Sequence, residues 1–184
     1  MNMPMEMATS GRHNEIINSI IGELYGLIKP KKILARQSDC SLVYWGKRNN
    51  LDTVKLVEIN KLTDLEYFRD EDIYNLRCVE PDFMLFEKNE YIESKHQTKL
   101  AGFPDLVIEV WSDGNTDDDK IFKKFLYSTS DKVEHWYITQ KENTVECYFG
   151  QNPLPPQFLT DILRTQNGIE IDLRHMAISK ESDV

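Results

Sequence analysis

The sequence predicts one α/β or α+β domain built on a central mixed β-sheet with flanking helices. Two segments, 12–28 and 118–129, repeat apolar residues at helical spacing. Most of the other segments either alternate apolar and polar residues or are apolar over the length of a strand. The order is helix, antiparallel strands, central strands, helix and strands, with no internal repeat and no interdomain linker. A chain of 184 residues is long enough to build its own core.

The start of the chain predicts a tail followed by an amphipathic helix. Residues 1–10 contain four Met and no periodicity, so we expect a mobile tail. Ser10 is a suitable N-cap, and Pro30 is expected to stop the helix. The apolar stripe of this helix is Ile16, Ile17, Ile20, Ile21, Leu24, Tyr25 and Ile28. We expect the folded domain to span 11–175 and a second tail to span 176–184.

Short strands and one further helix make up the rest of the prediction. A polar segment at 62–76 is expected to be an irregular connection or a short helix. The helix at 118–129 is expected to bury Ile121, Phe122, Phe125 and Leu126. The predicted strands are 33–36, 41–45, 53–59, 79–86, 104–111, 133–139, 144–149 and 169–173.

The most informative feature is an acid inside an apolar strand. Leu106, Ile108 and Val110 fall on one face of the segment 104–111. Val107, Glu109 and Trp111 fall on the other. Apolar residues on both faces predict a strand that is covered on both sides. An ionised Glu109 there costs several kcal/mol unless it is paired, protonated or bound to a cation.

A second acid stands in a similar setting. Asp82 interrupts the apolar run 79–86, directly after a proline. If the two strands are neighbours, Asp82 and Glu109 converge, and carboxylate oxygens are the ligands of hard cations such as Mg²⁺. The alternative is that each acid pairs with a buried Arg or Lys and serves only the fold. Asp105, which follows Pro104, is expected to cap the strand entrance or bond a backbone amide, with direct catalysis as its alternative.

Lys123 is the candidate cation of this region. It follows Asp119 at the i+4 position, which favours an ion pair on one helix face. Taken alone, such a pair is a solvated surface contact. A helix that leaves the Glu109 strand can, however, direct a lysine back at that strand, where, beside a bound metal, it could polarise the scissile phosphate or orient the attacking water. His13 is either a partly exposed polar residue at a helix start or a site residue. We expect His135 and its neighbours to contribute packing and hydrogen bonds.

Composition narrows the classes of function. The net charge of -9 argues against indiscriminate binding of duplex DNA, although part of the excess acid could lie at a metal site. Cys40, Cys78 and Cys147 are scattered and form no CxxC, which indicates reduced cysteines in a cytoplasmic protein and no zinc site. No apolar run approaches the ~20 residues that cross a bilayer, and no secretion signal is apparent.

Three motifs together resemble a known family. The segments "EPDFMLF", "FPDLVIEVWS" and "DDDKIFKKFLYSTSDKVEHWYIT" are similar, in order and spacing, to motifs of the PD-(D/E)XK nuclease superfamily, and within it of the Uma-type family of restriction-endonuclease-like proteins. The similarity covers 12–25, 79–139 and 168–173. It implies a restriction-endonuclease-like fold in which Asp82 and Glu109 bind the metal.

The resemblance also assigns the lysine. The superfamily usually has a lysine two residues beyond the second acid, and this chain has Trp111 at that position. The Uma-type pattern carries it on the next helix, four residues after an Asp and four before a Tyr, which falls on Lys123 between Asp119 and Tyr127. The family's first helix often opens with a His, here His13. The family's preceding hairpin is expected to be missing or reduced to a tail, and the loop before the second helix is unusually acidic.

These observations favour a Mg²⁺- or Mn²⁺-dependent endonuclease that hydrolyses phosphodiester bonds. DNA is the expected substrate, and RNA is the alternative. Asp82 and Glu109 would hold the cation, and Lys123 would stabilise the developing negative charge. Three further residues are auxiliary candidates: His13, Asp105 and Asp119. The alternatives are a catalytically silent nuclease-like module for binding or oligomerisation, and a nuclease of RNA processing or defence. The expected partner is nucleic acid, with no membrane, and a homodimer stays open.

Overall fold

A computed structural model describes the backbone of residues 5–25, 34–35, 41–61, 67–68, 76–94 and 99–179. In chain order the helices and strands are α1 (Met5–Tyr25), β1 (Leu34–Ala35), β2 (Ser41–Lys47), β3 (Asn50–Leu56), β4 (Tyr67–Phe68), β5 (Leu76–Val79), β6 (Phe83–Leu85), β7 (Tyr91–Ser94), β8 (Lys99–Gly102), β9 (Leu106–Trp111), α2 (Asp117–Ser128), β10 (Glu134–Thr139), β11 (Thr144–Phe149), β12 (Asn152–Pro153), β13 (Gln157–Phe158), β14 (Ile162–Arg164) and β15 (Glu170–Asp172). Short 3₁₀ turns lie at Ile59–Lys61 and Arg174–Met176.

The larger sheet places the Glu109 strand at its centre. Its order is β1-β6-β9-β10-β11, with β12 and β13 both paired to β11. Strands β9 and β10 run parallel, whereas β6 runs antiparallel to β9. The sheet is therefore mixed, as the sequence predicts. A second sheet has the order β3-β2-β8-β7-β4 with β5 paired to β2, and β14 and β15 form a separate pair.

Helices cover the central strand on both faces. All six residues of β9 are buried. On one face, Ile108 and Val110 pack in one core cluster with Ile16 and Ile20 of α1. The opposite face carries a second cluster, which includes Val107, Trp111, Phe122, Leu126 and Tyr137. This two-sided cover confirms the central prediction and puts Glu109 beneath α2.

Most predicted strands occur, but the structure divides or adds some of them. The predicted strand 79–86 is two strands, because Pro81 lies between β5 and β6 and has no N–H to donate to a ladder. The unpredicted strands are β4, β7, β8 and β12 to β14, since two to four residues carry little periodicity. Most of the segment 62–76 lies outside the described residues, and its described part is strand (Tyr67–Phe68 of β4 and Leu76 of β5), where an irregular connection or a short helix was expected.

The first helix begins earlier than the sequence predicts. Helix α1 starts at Met5, so the predicted start after Ser10 is wrong and part of the expected tail is helical. An N-cap contributes only about 1 kcal/mol, so a Ser can also lie inside a helix. Tyr25, expected on the buried stripe, is 77% exposed. Residues 26–30, where Pro30 was expected to end the helix, lie outside the described residues.

Two further residues differ from the prediction in their burial. Ile121 is 58% exposed, so its predicted burial is wrong, and Lys123 takes a place among the buried residues of α2 instead. Met176 is buried in the core beyond the expected domain end at residue 175. The assignment of 11–175 to a single domain stays a prediction.

None of the described helices is long and apolar enough to cross a membrane.

Candidate active site

Glu109 is held by two donors from α2. Its side chain is 1% exposed. Oε2 lies 2.8 Å from Lys123 Nζ, and Oε1 accepts a 2.6 Å hydrogen bond from the Tyr127 hydroxyl. Lys123 and Tyr127 are four residues apart, so they share the buried face of the helix. The Lys123 ammonium also donates to the Glu80 carbonyl oxygen at 3.1 Å, which fixes it between α2 and the β5–β6 connection.

Burial controls the ionisation of this group. It raises the pKa of Glu109 to about 7, a rise that Lys123 opposes and Asp82 reinforces. Burial alone would lower the pKa of Lys123, but the attraction of Glu109 outweighs it, so this pKa is raised. Burial also raises the pKa of Tyr127 well above its ordinary range, so its phenol stays protonated and acts as a donor. The carboxylate therefore titrates near neutrality while its donors keep their protons.

Asp82 joins the cluster from the neighbouring strand. It directly precedes β6, whose Phe83 pairs with Ile108 of β9. Asp82 Oδ2 accepts a 2.8 Å hydrogen bond from the Val110 backbone N–H, next to Glu109. Its Oδ1 lies 3.2 Å from His13 Nε2. The antiparallel register of β6 and β9 thus brings together two acids that are 27 positions apart in the chain.

His13 reaches the cluster from the opposite helix. It lies two turns inside α1, so the expectation that His13 opens the first helix is wrong. Its hydrogen bond and charge attraction to Asp82 raise the pKa of His13, although burial opposes the rise. His13 and Asp82 are 25% and 23% exposed, so this edge of the cluster is open to solvent while Glu109 is not.

The other two auxiliary candidates do not contact Glu109. Asp105 Oδ2 accepts hydrogen bonds at 2.7, 2.9 and 2.9 Å from the backbone N–H groups of residues 87–89. It therefore does what the sequence favoured and orders the turn after β6. Asp119 Oδ1 lies 2.6 Å from Arg48 Nη2, so its ion pair is with Arg48 and not with Lys123.

Sequence reasoning gave no role in the site to three groups of this region. Tyr127 was noted only for its spacing, and its position four residues after Lys123 was the available signal. The Glu80 carbonyl carries no signal in the sequence. Arg48, whose guanidinium lies 4.7 Å from the centre of the Phe122 ring, comes from the β2–β3 turn, and nothing local to that turn points to α2.

The donor set suits one kind of cation. Among the described residues, no three His, Cys, Asp or Glu side chains converge on a common metal position. The candidate metal ligands are therefore only the two carboxylates of Asp82 and Glu109 among the described residues. That set fits Mg²⁺ or Mn²⁺, since Mg²⁺ binds one or two carboxylates and keeps waters and substrate phosphate. It does not suit a structural Zn²⁺, which is held by four protein ligands.

A buried histidine lies on the same face of the sheet. His135 Nδ1 contacts the Tyr137 hydroxyl at 2.6 Å, and Nε2 contacts the Gly150 carbonyl oxygen at 2.9 Å. Since a carbonyl only accepts, Nε2 carries the proton and Tyr137 donates to Nδ1. Burial lowers the pKa of His135 from 6.5 to about 4. These contacts match the packing and hydrogen-bonding role expected from the sequence.

The His135 shift predicts acid sensitivity. Between pH 6.5 and 4 the unfolded chain binds a proton at His135 that the folded protein does not. The free energy of unfolding should therefore fall as pH falls, by on the order of 3 kcal/mol from this residue. Urea unfolding across this range should show a flatter pH profile for His135→Asn than for the parent. The matched control is the exposed His175→Asn, which should keep the parent profile; equal profiles for parent and His135→Asn would contradict the prediction.

Comparison with known proteins shows which family and which fold this chain is similar to. The model of the Uma2 family, putative restriction endonucleases, matches residues 57–177. The crystal structure of a putative nuclease belonging to DUF820 from Anabaena variabilis ATCC 29413 has a TM-score of 0.54 and 12% sequence identity, covering 95% of this chain and 84% of that chain. At this identity the likeness concerns the fold, and it confirms the expected restriction-endonuclease-like architecture. No curated protein matches the sequence.

Proposed function

Because this chain belongs to the Uma2 family of putative restriction endonucleases, we propose that it is a Mg²⁺- or Mn²⁺-dependent endonuclease that hydrolyses phosphodiester bonds in DNA. The family supports a nuclease; the metal and the DNA substrate are our inference. RNA is the alternative substrate with the same backbone chemistry. A cytoplasmic location, inferred from the scattered spacing of the cysteines in the sequence, belongs to the same proposal.

One observation carries the proposal: an acid that is 1% exposed lies 2.8 Å from a fixed ammonium, and a second acid bonds the backbone N–H of the next residue. A protein that used Glu109 only for packing would be served as well by an apolar residue, since a buried ion pair is weak support for stability. Groups with strongly shifted pKa values concentrate at functional sites. The open edge at Asp82 and His13 provides the approach for a substrate.

Each residue has a role that follows from its contacts. Asp82 and Glu109 would hold the cation, which when bound lowers the pKa of a water and neutralises charge on a phosphate. Lys123, fixed by Glu109 and the Glu80 carbonyl, would stabilise negative charge that develops on the phosphate. Tyr127 keeps the Glu109 carboxylate in one orientation through its 2.6 Å hydrogen bond. His13 does the same for Asp82 at the open edge.

A silent nuclease-like module is the second candidate, and the same contacts favour it. Lys123 lies 2.8 Å from Glu109, and His13 lies 3.2 Å from Asp82, so each acid already has an internal partner. A module without metal needs such partners, because unpaired buried charge is costly. The two candidates therefore differ in whether a cation binds.

Calorimetric titration with Mn²⁺ separates the candidates. The parent is expected to bind, and Glu109→Gln to bind about tenfold more weakly or worse, because it removes a charged ligand. Binding should strengthen as pH rises from 6 to 8, since a metal binds the ionised carboxylate and the pKa of Glu109 is about 7. At a hundred times the dissociation constant, Mn²⁺ should stabilise the fold by about 2.7 kcal/mol.

The control variant is Glu146→Gln, which changes a half-exposed acid that pairs with Lys124. It should bind Mn²⁺ as the parent does. Absence of binding to the parent at every pH would favour the silent module. Equal binding to the parent and to Glu109→Gln would show that the metal binds elsewhere.

A further inference from the structure

Two lysines of α2 and the tryptophan beside Glu109 form a cluster that the proposed catalytic groups do not include. Lys120 Nζ lies 5.4 Å and Lys124 Nζ 5.1 Å from the centre of the Trp111 ring. Ammonium groups at this distance are attracted to the face of an indole. Trp111 stands two residues beyond Glu109, on the same face of β9, so the cluster adjoins the candidate active site.

Within the part of the chain that the structure describes, two of these three groups have no partner for their N–H donors. Trp111 is 6% exposed, yet no described residue accepts a hydrogen bond from its Nε1–H. A buried donor without an acceptor costs about 1–3 kcal/mol, and in folded proteins such donors usually find a water or a ligand. Among the described residues, the Lys120 ammonium likewise has no carboxylate partner. The indole N–H is itself buried, so it would reach an anion through a bridging water, whereas the Lys120 ammonium over the same ring offers a charge without a carboxylate partner among the described residues.

The third group has a partner that an anion could replace. Lys124 Nζ lies 2.6 Å from Glu146 Oε2, and the two side chains are 32% and 50% exposed. Such a surface pair contributes about 0–1 kcal/mol, so a phosphate can compete for the ammonium at little cost. The Tyr137 and Tyr148 rings, 5.0 and 5.6 Å from Nζ, keep this ammonium near Trp111.

The place of the cluster indicates which anion it would take. Lys123 separates Lys120 and Lys124 in the helix and faces Glu109, whereas the other two face Trp111. An anion held at Trp111 would therefore lie beside the phosphate that Lys123 faces. A chain of net charge -9 needs such local cations to hold a polyanion. We propose that Trp111, Lys120 and Lys124 form a subsite for a DNA backbone phosphate next to the cleaved one, an inference that rests on the proposed function.

The test is binding of a fluorescein-labelled DNA duplex, by anisotropy in metal-free buffer over a range of salt. Because binding is measured without cleavage, it does not depend on catalysis. Lys120→Gln and Lys124→Gln should each weaken binding several-fold and reduce the slope of log K against log salt by about 0.9. Trp111→Phe keeps a ring and removes the N–H; it should weaken binding with little change in slope.

The matched control is Lys132→Gln, because Lys132 also lies over an aromatic ring, at 5.6 Å from the centre of Phe103, away from Trp111. It should bind as the parent does. Unchanged slopes in both lysine variants, the same loss in Lys132→Gln, or no binding by the parent would overturn the subsite. If the parent cleaves DNA while those slopes are unchanged, the subsite fails and the proposed function stands. If the slopes change as expected but the parent never cleaves, Trp111, Lys120 and Lys124 still bind a DNA backbone phosphate, and the proposed hydrolysis fails.

Discussion

Replacing Lys123 by Met is expected to reduce Mn²⁺-dependent cleavage of DNA by about 10²–10³-fold. The ammonium lies 2.8 Å from Glu109 and 3.1 Å from the Glu80 carbonyl oxygen, so it is fixed before substrate arrives. A fixed charge stabilises a transition state without reorganisation. Met keeps most of the side-chain volume and removes only the charge and the donors. Single-turnover cleavage at saturating DNA and Mn²⁺ measures the effect.

The control for this variant is Lys132→Met, which removes a charge from an exposed lysine that lies over the Phe103 ring and makes no contact with Glu109. Its cleavage rate should stay close to that of the parent. A Lys123→Met protein that cleaves as fast as the parent would show that Lys123 is not catalytic. If instead Mn²⁺ affinity falls and saturating Mn²⁺ restores the rate, Lys123 acts by positioning Glu109.

The second large effect concerns stability. At pH 8, above the Glu109 pKa of about 7, removing one partner of a buried pair costs about 3–5 kcal/mol, because the other charge is left without compensation. Lys123→Met should show this loss. The double variant Glu109→Gln/Lys123→Met should recover most of it, since neither position carries a charge any longer and Gln still accepts the Tyr127 hydrogen bond. Urea unfolding of the parent, both single variants and the double variant measures the coupling.

The pH dependence of the stability loss provides a further check on this double-mutant cycle. At pH 5 to 6, Glu109 in Lys123→Met can bind a proton, so the loss should be smaller than at pH 8. The exposed pair Lys141–Asp113, with both side chains more than two thirds exposed (67% and 68%), serves as the reference and should couple by about 0–1 kcal/mol. An equally small coupling for Glu109 and Lys123 would contradict the importance of burial.

Local pattern predicted the central strand and its acid well. The alternation from Leu106 to Trp111 depends only on strand geometry, so both faces of β9 could be assigned, and the structure buries them as expected. Helix α2 begins and ends within one residue of its prediction at 118–129, because its periodicity and its N-cap, Thr116, are local. The roles of Asp82, Glu109 and Lys123 in catalysis stay predictions.

The same reasoning failed where burial depended on the packing partner. Ile121 is apolar and was assigned to the core, yet it is exposed, whereas the charged Lys123 is buried. Hydrophobicity alone favours the first assignment. The structure reverses it because Lys123 finds both a carboxylate and a carbonyl oxygen beneath α2, and a satisfied charge can be buried.

By itself the sequence determined that an acid would lie in a strand covered on both sides and that a lysine of the next helix could face it, because strand and helix periods are properties of neighbouring residues. Only the tertiary structure decided what meets that acid. The register of β6 on β9 places Asp82 beside it, α1 brings His13 to Asp82, and Tyr127 donates to Glu109. Such contacts between distant segments arise from packing of the whole sheet and its helices, which no local pattern encodes.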